Sequence, residues 1–184
     1  MPLIPVMSGA PSPGAAPQQA LRGYEAHLDL GSVQGESSSS AHPNEIEVVS
    51  LSWSLSNTAV RSAQGTTAKG GKASVGEISI VKHTDKSTPP IFAAVTTCQT
   101  FPKVTISLSK STGGKKPEDY FTIKMTNVYI SSMQLSSPSG GELGTETITL
   151  NFQTITLDYK MQTAMGILVS AATASYSLVD GTGS

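Results

Sequence analysis

Three histidines, His27, His42 and His83, are the side chains of this chain best suited to metal or proton chemistry, and their spacing supports neither. None has a carboxylate or a second histidine at a metal-ligand interval, so they read as three surface histidines. The string GTTAKGGKA at 65–73 has the flavour of a phosphate-binding loop. Its first glycine is one place out of register, and Ala73 stands where a Ser or Thr hydroxyl should hold magnesium. No GxSxG nucleophile elbow occurs. The single cysteine, Cys98, falls on a predicted helix and reads as a small buried hydrophobe rather than a nucleophile. Glu45 and Glu47 share one side of a strand and read as a solvated or subunit-facing polar row. The residues therefore assign no catalytic, cofactor-binding or metal-binding position, and an enzyme is not expected. The pattern that stands out is neutral: Ser50, Ser52, Ser54 and Ser56 alternate with Val49, Leu51, Trp53 and Leu55, giving a strand with one greasy side and one side of hydroxyls. Trp53 shares its face with Val49 and Leu51 and reads as a core tryptophan.

That serine strand, Glu45 to Ser56, belongs to a chain of mostly β pattern. Thr145 to Lys160 is the organising segment. Ile148, Leu150 and Phe152 lie on even positions, whereas Ile155, Leu157 and Tyr159 lie on odd ones, so a bulge at Gln153 and Thr154 or a corner between sheets must intervene. Asp119 to Leu135 slips in the same way near Asn127. Further strands are read at Tyr24 to Leu30, with His27 on the polar face, at Val75 to Lys82 with Ile78 and Ile80 on one face, at Lys103 to Ser109, and at Ala172 to Leu178. The only helix signal is in DKSTPPIFAAVTTC, with Ser87 or Thr88 as N-cap, Pro89 in the first turn, and Ile91, Val95 and Cys98 as the buried stripe. Pro102 ends that region. About seven strands and one short flanking helix predict a mainly β fold, a β-barrel of two antiparallel sheets.

Composition narrows the function. Charged residues are 14% of the 184, and the net charge is -1, against a usual charged share of about a quarter. Nothing here neutralises a row of phosphates, so nucleic acid is not an expected partner. No apolar run approaches the roughly 20 residues that span a bilayer, so no membrane insertion is expected. Residues 1–23 are rich in Pro, Ala and Gly and read as a flexible arm without the features of a secretory signal. Residues 24–180 form one domain and 181–184 a tail.

Several strings, in order, resemble a known family: QGES at 34–37, HPNEIEV running into LSWSLS, HTDKSTPP, FPKVTISL, NVYISSM and LGTETITLNFQTITLDY. They are similar to the haemolysin-coregulated protein (Hcp) family, the tube protein of bacterial type VI secretion, from about Tyr24 to Val179. The arm before Tyr24 is longer than the family's start, and Leu51 stands where an aromatic residue is common.

The resemblance implies a β-barrel with a flanking helix and homohexameric rings stacked into a hollow tube. It also implies partners: a contractile sheath, a valine-glycine-repeat spike protein, and effector proteins carried in the lumen. Such a protein is cytoplasmic when assembled and then leaves the cell without a cleaved signal peptide. On this reading Ser50, Ser52, Ser54 and Ser56 face the lumen and contact cargo. Arg61, Gln64, Lys69 and Lys72, on the aperiodic loop from Asn57 to Ala73, contact the next ring or subunit. The alternatives are a monomeric β-sandwich that binds a ligand such as carbohydrate, with Trp53 or Tyr24 as a stacking platform, and the tail-tube protein of a related contractile particle.

Overall fold

The computed structural model describes residues 24–57, 73–111, 116–137 and 143–183. Among these the elements are β1 (Tyr24–Asp29), β2 (Ile46–Glu47), β3 (Ser50–Ser52), β4 (Leu55–Asn57), β5 (Ala73–Val75), β6 (Ile78–His83), α1 (Thr88–Thr96), β7 (Thr100–Lys110), β8 (Glu118–Ser136), β9 (Thr145–Asn151), β10 (Thr154–Gln162), β11 (Leu168–Ser177) and β12 (Thr182–Gly183). The mainly β, antiparallel architecture with one helix is as expected. The strand count exceeds seven because Glu45 to Ser56 breaks into three pieces and Thr145 to Lys160 into two, and because Ala73–Val75 pairs with β4 and Thr182–Gly183 with the end of β11.

One run of ladders joins β12, β11, β10, β8, β7, β1 and β2, and a second joins β3, β6, β9 and β8, while β4 and β5 form a separate two-stranded sheet. β8 belongs to both runs because it bends. Its first half pairs with β10 (Thr126↔Thr154) and its second half with β9 (Tyr129↔Asn151). Asn127 lies at the bend with φ 48, the left-handed region in which Asn is among the better-tolerated side chains. The phase slip in Thr145 to Lys160 is a corner between sheets. β9 ends at Asn151, β10 begins at Thr154, and Phe152 and Ile155 are both buried in the same core.

The predicted strand from Glu45 to Ser56 also turns a corner, where its core-facing residues pass from even positions, Ile46 and Val48, to odd ones, Leu51 and Trp53. Val48 N–H donates to Ala26 O at 2.9 Å and Val49 N–H donates to Val81 O at 2.8 Å, so the chain changes partners from β1 to β6 between adjacent residues. The expected barrel is therefore open, with β2 and β3 as ends of the ladder. Val49, expected inward, is 53% exposed because the corner reverses its phase, and Leu55 is exposed as well.

The core is one cluster of Leu28, Ile46, Ile78, Ile80, Val104, Ile106, Ile123, Met125, Val128, Ile148, Leu150 and their neighbours. Helix α1 closes one side of it through Ile91 and Ala94. Cys98 is not on that helix. It sits two residues beyond its end with φ 51 and is exposed, so the expectation of a buried cysteine is wrong. Nor does Pro102 end the region. It lies within β7, which starts at Thr100, and the ladder to β8 continues on either side of it.

Candidate functional site

Ser50, Ser52, Ser54 and Ser56 are all exposed, as the alternation requires. They do not share one strand. Ser50 and Ser52 lie on β3 opposite Val81 and Ser79, Ser54 lies in the break after it, and Ser56 pairs with Ser74 in the small sheet. The hydroxyl surface instead continues sideways. Ser52 is opposite Ser79, Ser79 is opposite Thr149, and Thr149 is opposite Ser132, whose hydroxyl donates to Thr149 Oγ1 at 2.8 Å. Four strands thus present an uncharged row of hydroxyls on the face away from Leu51, Ile80, Ile148 and Met133. Sequence reasoning named only its first member. Each of the others was marked by its place between apolar neighbours, Ser79 between Ile78 and Ile80 and Thr149 between Ile148 and Leu150. Arg61, Gln64, Lys69 and Lys72 lie outside the described residues.

Two of the three histidines are not on the surface. His27 is 2% exposed and His42 is buried over it, the rings stacked with centroids 4.7 Å apart and 19° between planes. The polar face of β1 is covered because the segment after Leu30 folds back over it. Gly35 N–H donates to Asn44 O at 2.8 Å and Ser37 N–H donates to Glu45 O at 3.0 Å. His42 is 3.0 Å from Glu45 Oε1 through Nδ1 and 2.8 Å from Asp119 Oδ1 through Nε2. The Ser109 hydroxyl donates to the same Asp119 oxygen at 2.8 Å. Glu45 is therefore part of a latch rather than of a solvated row. Burial pulls the His42 pKa down, but hydrogen bonds to Glu45 and Asp119 outweigh it and the net shift is upward. Burial, and then the neighbouring His42, push the His27 pKa down. The charged form is thus favoured at His42, which lies between two carboxylates, and disfavoured at His27 beneath it.

A second buried polar cluster ties α1 to the sheet. Lys82 and Glu146 are opposite each other on β6 and β9 and both are 0% exposed, with Nζ 3.0 Å from Oε2. Lys82 also reaches Asp85 Oδ1 at 2.9 Å, and the Thr88 hydroxyl donates to Glu146. Burial works to raise the Asp85 pKa, yet hydrogen bonds from Ser87 and Lys82 hold it lowered. Ser87 is the N-cap by position, but its hydroxyl donates to Asp85 rather than capping α1. Among the described residues no group of three or more His, Cys, Asp or Glu side chains is placed to hold a metal ion.

Trp53 packs on the core with its edge fixed by a hydrogen bond from Nε1 to Gly76 O at 2.9 Å. Its other side lines an apolar cleft of about 230 Å³ with Leu55, Val75, Leu157 and Tyr176. Tyr24 is exposed and meets Tyr120 edge to face, with centroids 5.9 Å apart. No helix of the described residues is long and apolar enough to cross a membrane.

Comparison with known proteins fits this geometry. The family profile described as "Type VI secretion system effector, Hcp" matches residues 27–159. A protein named hcp1, from Pseudomonas aeruginosa, is 32% identical over 140 residues, 76% of this chain and 85% of that protein. A structure described as a type six secretion system protein superposes with a TM-score of 0.79 at 24% identity, covering 88% of this chain and 99% of that one. Hcp1 from Salmonella typhimurium gives a TM-score of 0.69 at 23% identity, covering 88% and 99%.

Proposed function

The chain belongs to the Hcp family of type VI secretion, and on that premise we propose that it is a tube subunit, assembling into hexameric rings that stack into a hollow tube carrying effector proteins. The observation that carries this reading is the family match over residues 27–159, which takes in the helix and every strand from His27 to Tyr159. The surface supports it. A tube wall must pass varied cargo, and hydroxyls on Ser52, Ser79, Thr149 and Ser132 offer hydrogen bonds without a fixed charge pattern. On this reading that face lines the lumen. Arg61, Gln64, Lys69 and Lys72 reach the adjoining ring or subunit, and the tube works with a sheath and a spike protein. A heterologous contact that closes by rotation gives a ring, and contacts between ring faces give a stack.

Native mass spectrometry together with negative-stain imaging tests the assembly. A sixfold mass and annular particles with a central hole are expected. A monomer at every micromolar concentration and moderate salt overturns the proposal.

A further inference from the structure

The hairpin of β10 and β11 outruns its support. β8 accompanies β10 only to Tyr159↔Phe121, whereas the hairpin's own ladder runs on to Gln162↔Leu168. The turn beyond is well fastened. Thr163 N–H donates to Ile167 O at 2.8 Å, Gly166 N–H donates to Thr163 O at 2.9 Å, and Gly166 has φ 82. Such fastening would suit a solvated tip of polar residues, yet this tip carries Met161, Met165 and Ile167, with Met165 88% exposed. From Met161 to Val179 the sequence contains no charged residue.

At the base of the same hairpin lies the apolar cleft of about 230 Å³ walled by Trp53, Leu55, Val75, Leu157 and Tyr176. The tip cannot fill it from within one chain. Leu157 and Gln162 are five residues apart on one extended strand, roughly 17 Å at about 3.3 Å per residue. An apolar projection and an apolar cleft at separate places on one molecule complement each other head to tail, which is how heterologous contacts arise. Methionine suits such a seat, since its flexible thioether adapts to irregular apolar walls and its sulfur favours aromatic rings such as Trp53 and Tyr176.

We propose that the hairpin tip of one copy, led by Met165, seats in the Trp53 cleft of the next copy of this chain. This contact rests on the self-assembly proposed above and names the residues that make it.

The test uses the full chain with Cys98→Ser, into which Met165→Cys and Leu55→Cys are introduced together and bridged by a short bis-maleimide. A ladder of covalent multimers is expected, absent from either single-cysteine chain. Met165→Asp, at a position this exposed, leaves the fold intact and should raise the concentration for half-dissociation at least tenfold, while Met165→Leu leaves it unchanged. A sixfold native mass with no ladder, or with Met165→Asp dissociating like the parent, overturns the hairpin contact and leaves the ring standing. A parent chain that is monomeric overturns both.

Discussion

Asn127 donates a side-chain hydrogen bond to Gln153 at 2.7 Å, and the two residues stand at the bends of neighbouring strands. Gln153 N–H also donates to Thr126 O at 3.0 Å, so the bend in β8 and the corner between β9 and β10 are fastened to each other. Asn127→Gly keeps access to the left-handed backbone and loses the side-chain bond, an exposed one that contributes about 0.5–1.5 kcal/mol. Asn127→Val forces a β-branched residue to φ 48 and should cost more, about 2–3 kcal/mol. Urea denaturation of the three chains gives the order directly. Equal midpoints for Gly and Val would show that the bend is not held by this backbone conformation.

Both of these bends were legible in the sequence, because a strand that keeps one face in the core must shift phase where it turns. The corner at Val48 and Val49 carried the same signal and was overlooked: Ile46 and Val48 lie on even positions, whereas Leu51 and Trp53 lie on odd ones. Lys82 and Glu146 were legible but overlooked: Lys82 follows Ile78 and Ile80 in phase, and Glu146 precedes Ile148 and Leu150. His27 follows the opposite logic. Alternation does place it on the outer face of β1, but the segment from Gly31 to Glu45 covers that face, and a strand's period carries no information about what folds over it. Cys98 failed because the helix ends at Thr96, after Ile91 and Val95 but before the stripe reaches Cys98.

The stacked histidines predict a stability optimum in pH. His42 has a raised pKa, so its contribution is full below the ordinary value of 6.5 and is lost as pH rises through the raised one. His27 has a lowered pKa, so its contribution is full above 6.5 and is lost as pH falls through the lowered one. The two together favour a maximum near neutrality on the acid side. Urea midpoints measured from pH 5 to about pH 8.5 should fall on both flanks. His42→Gln should flatten the alkaline flank, and His27→Leu the acid one. If His42→Gln leaves the alkaline flank unchanged, the latch does not act through that proton.

The Lys82–Glu146 pair predicts non-additivity. Removing one partner leaves a charge buried without its counter-ion, a loss of about 3–5 kcal/mol, whereas replacing both by apolar residues is far less costly. Lys82→Met should therefore destabilise strongly, and Lys82→Met with Glu146→Leu should recover part of the loss despite the additional substitution. A double variant as weak as the sum of the singles would place the energy elsewhere.

Ser52 tests the surface reading. Ser52→Arg puts a long cation at one end of the hydroxyl row that continues through Ser79, Thr149 and Ser132. If that face lines a lumen, the variant keeps the sixfold mass and loses copurification or export of carried effectors. Monomers instead would assign the row to a contact between subunits.

Gly35 tests whether the covering segment and the histidine latch act as one unit. A Cβ at Gly35 would stand 2.4 Å from Glu45 O and 2.5 Å from Ile46 Cα, both backbone atoms that no side-chain rotation can move aside. Gly35→Ala must therefore part the segment from β2, at a cost of about 1–3 kcal/mol for overpacking. The parting acts on the hydrogen bonds of Gly35 to Asn44 and of Ser37 to Glu45, which bracket His42 and hold it over His27. If the segment moves as one piece, His42 is drawn off Asp119, and Gly35→Ala also loses the alkaline flank of the pH profile that His42→Gln loses. The double variant should then be little weaker than Gly35→Ala alone, because contacts already broken cannot be broken again. Additive losses, with the alkaline flank intact in Gly35→Ala, would show that the latch holds without the close backbone approach.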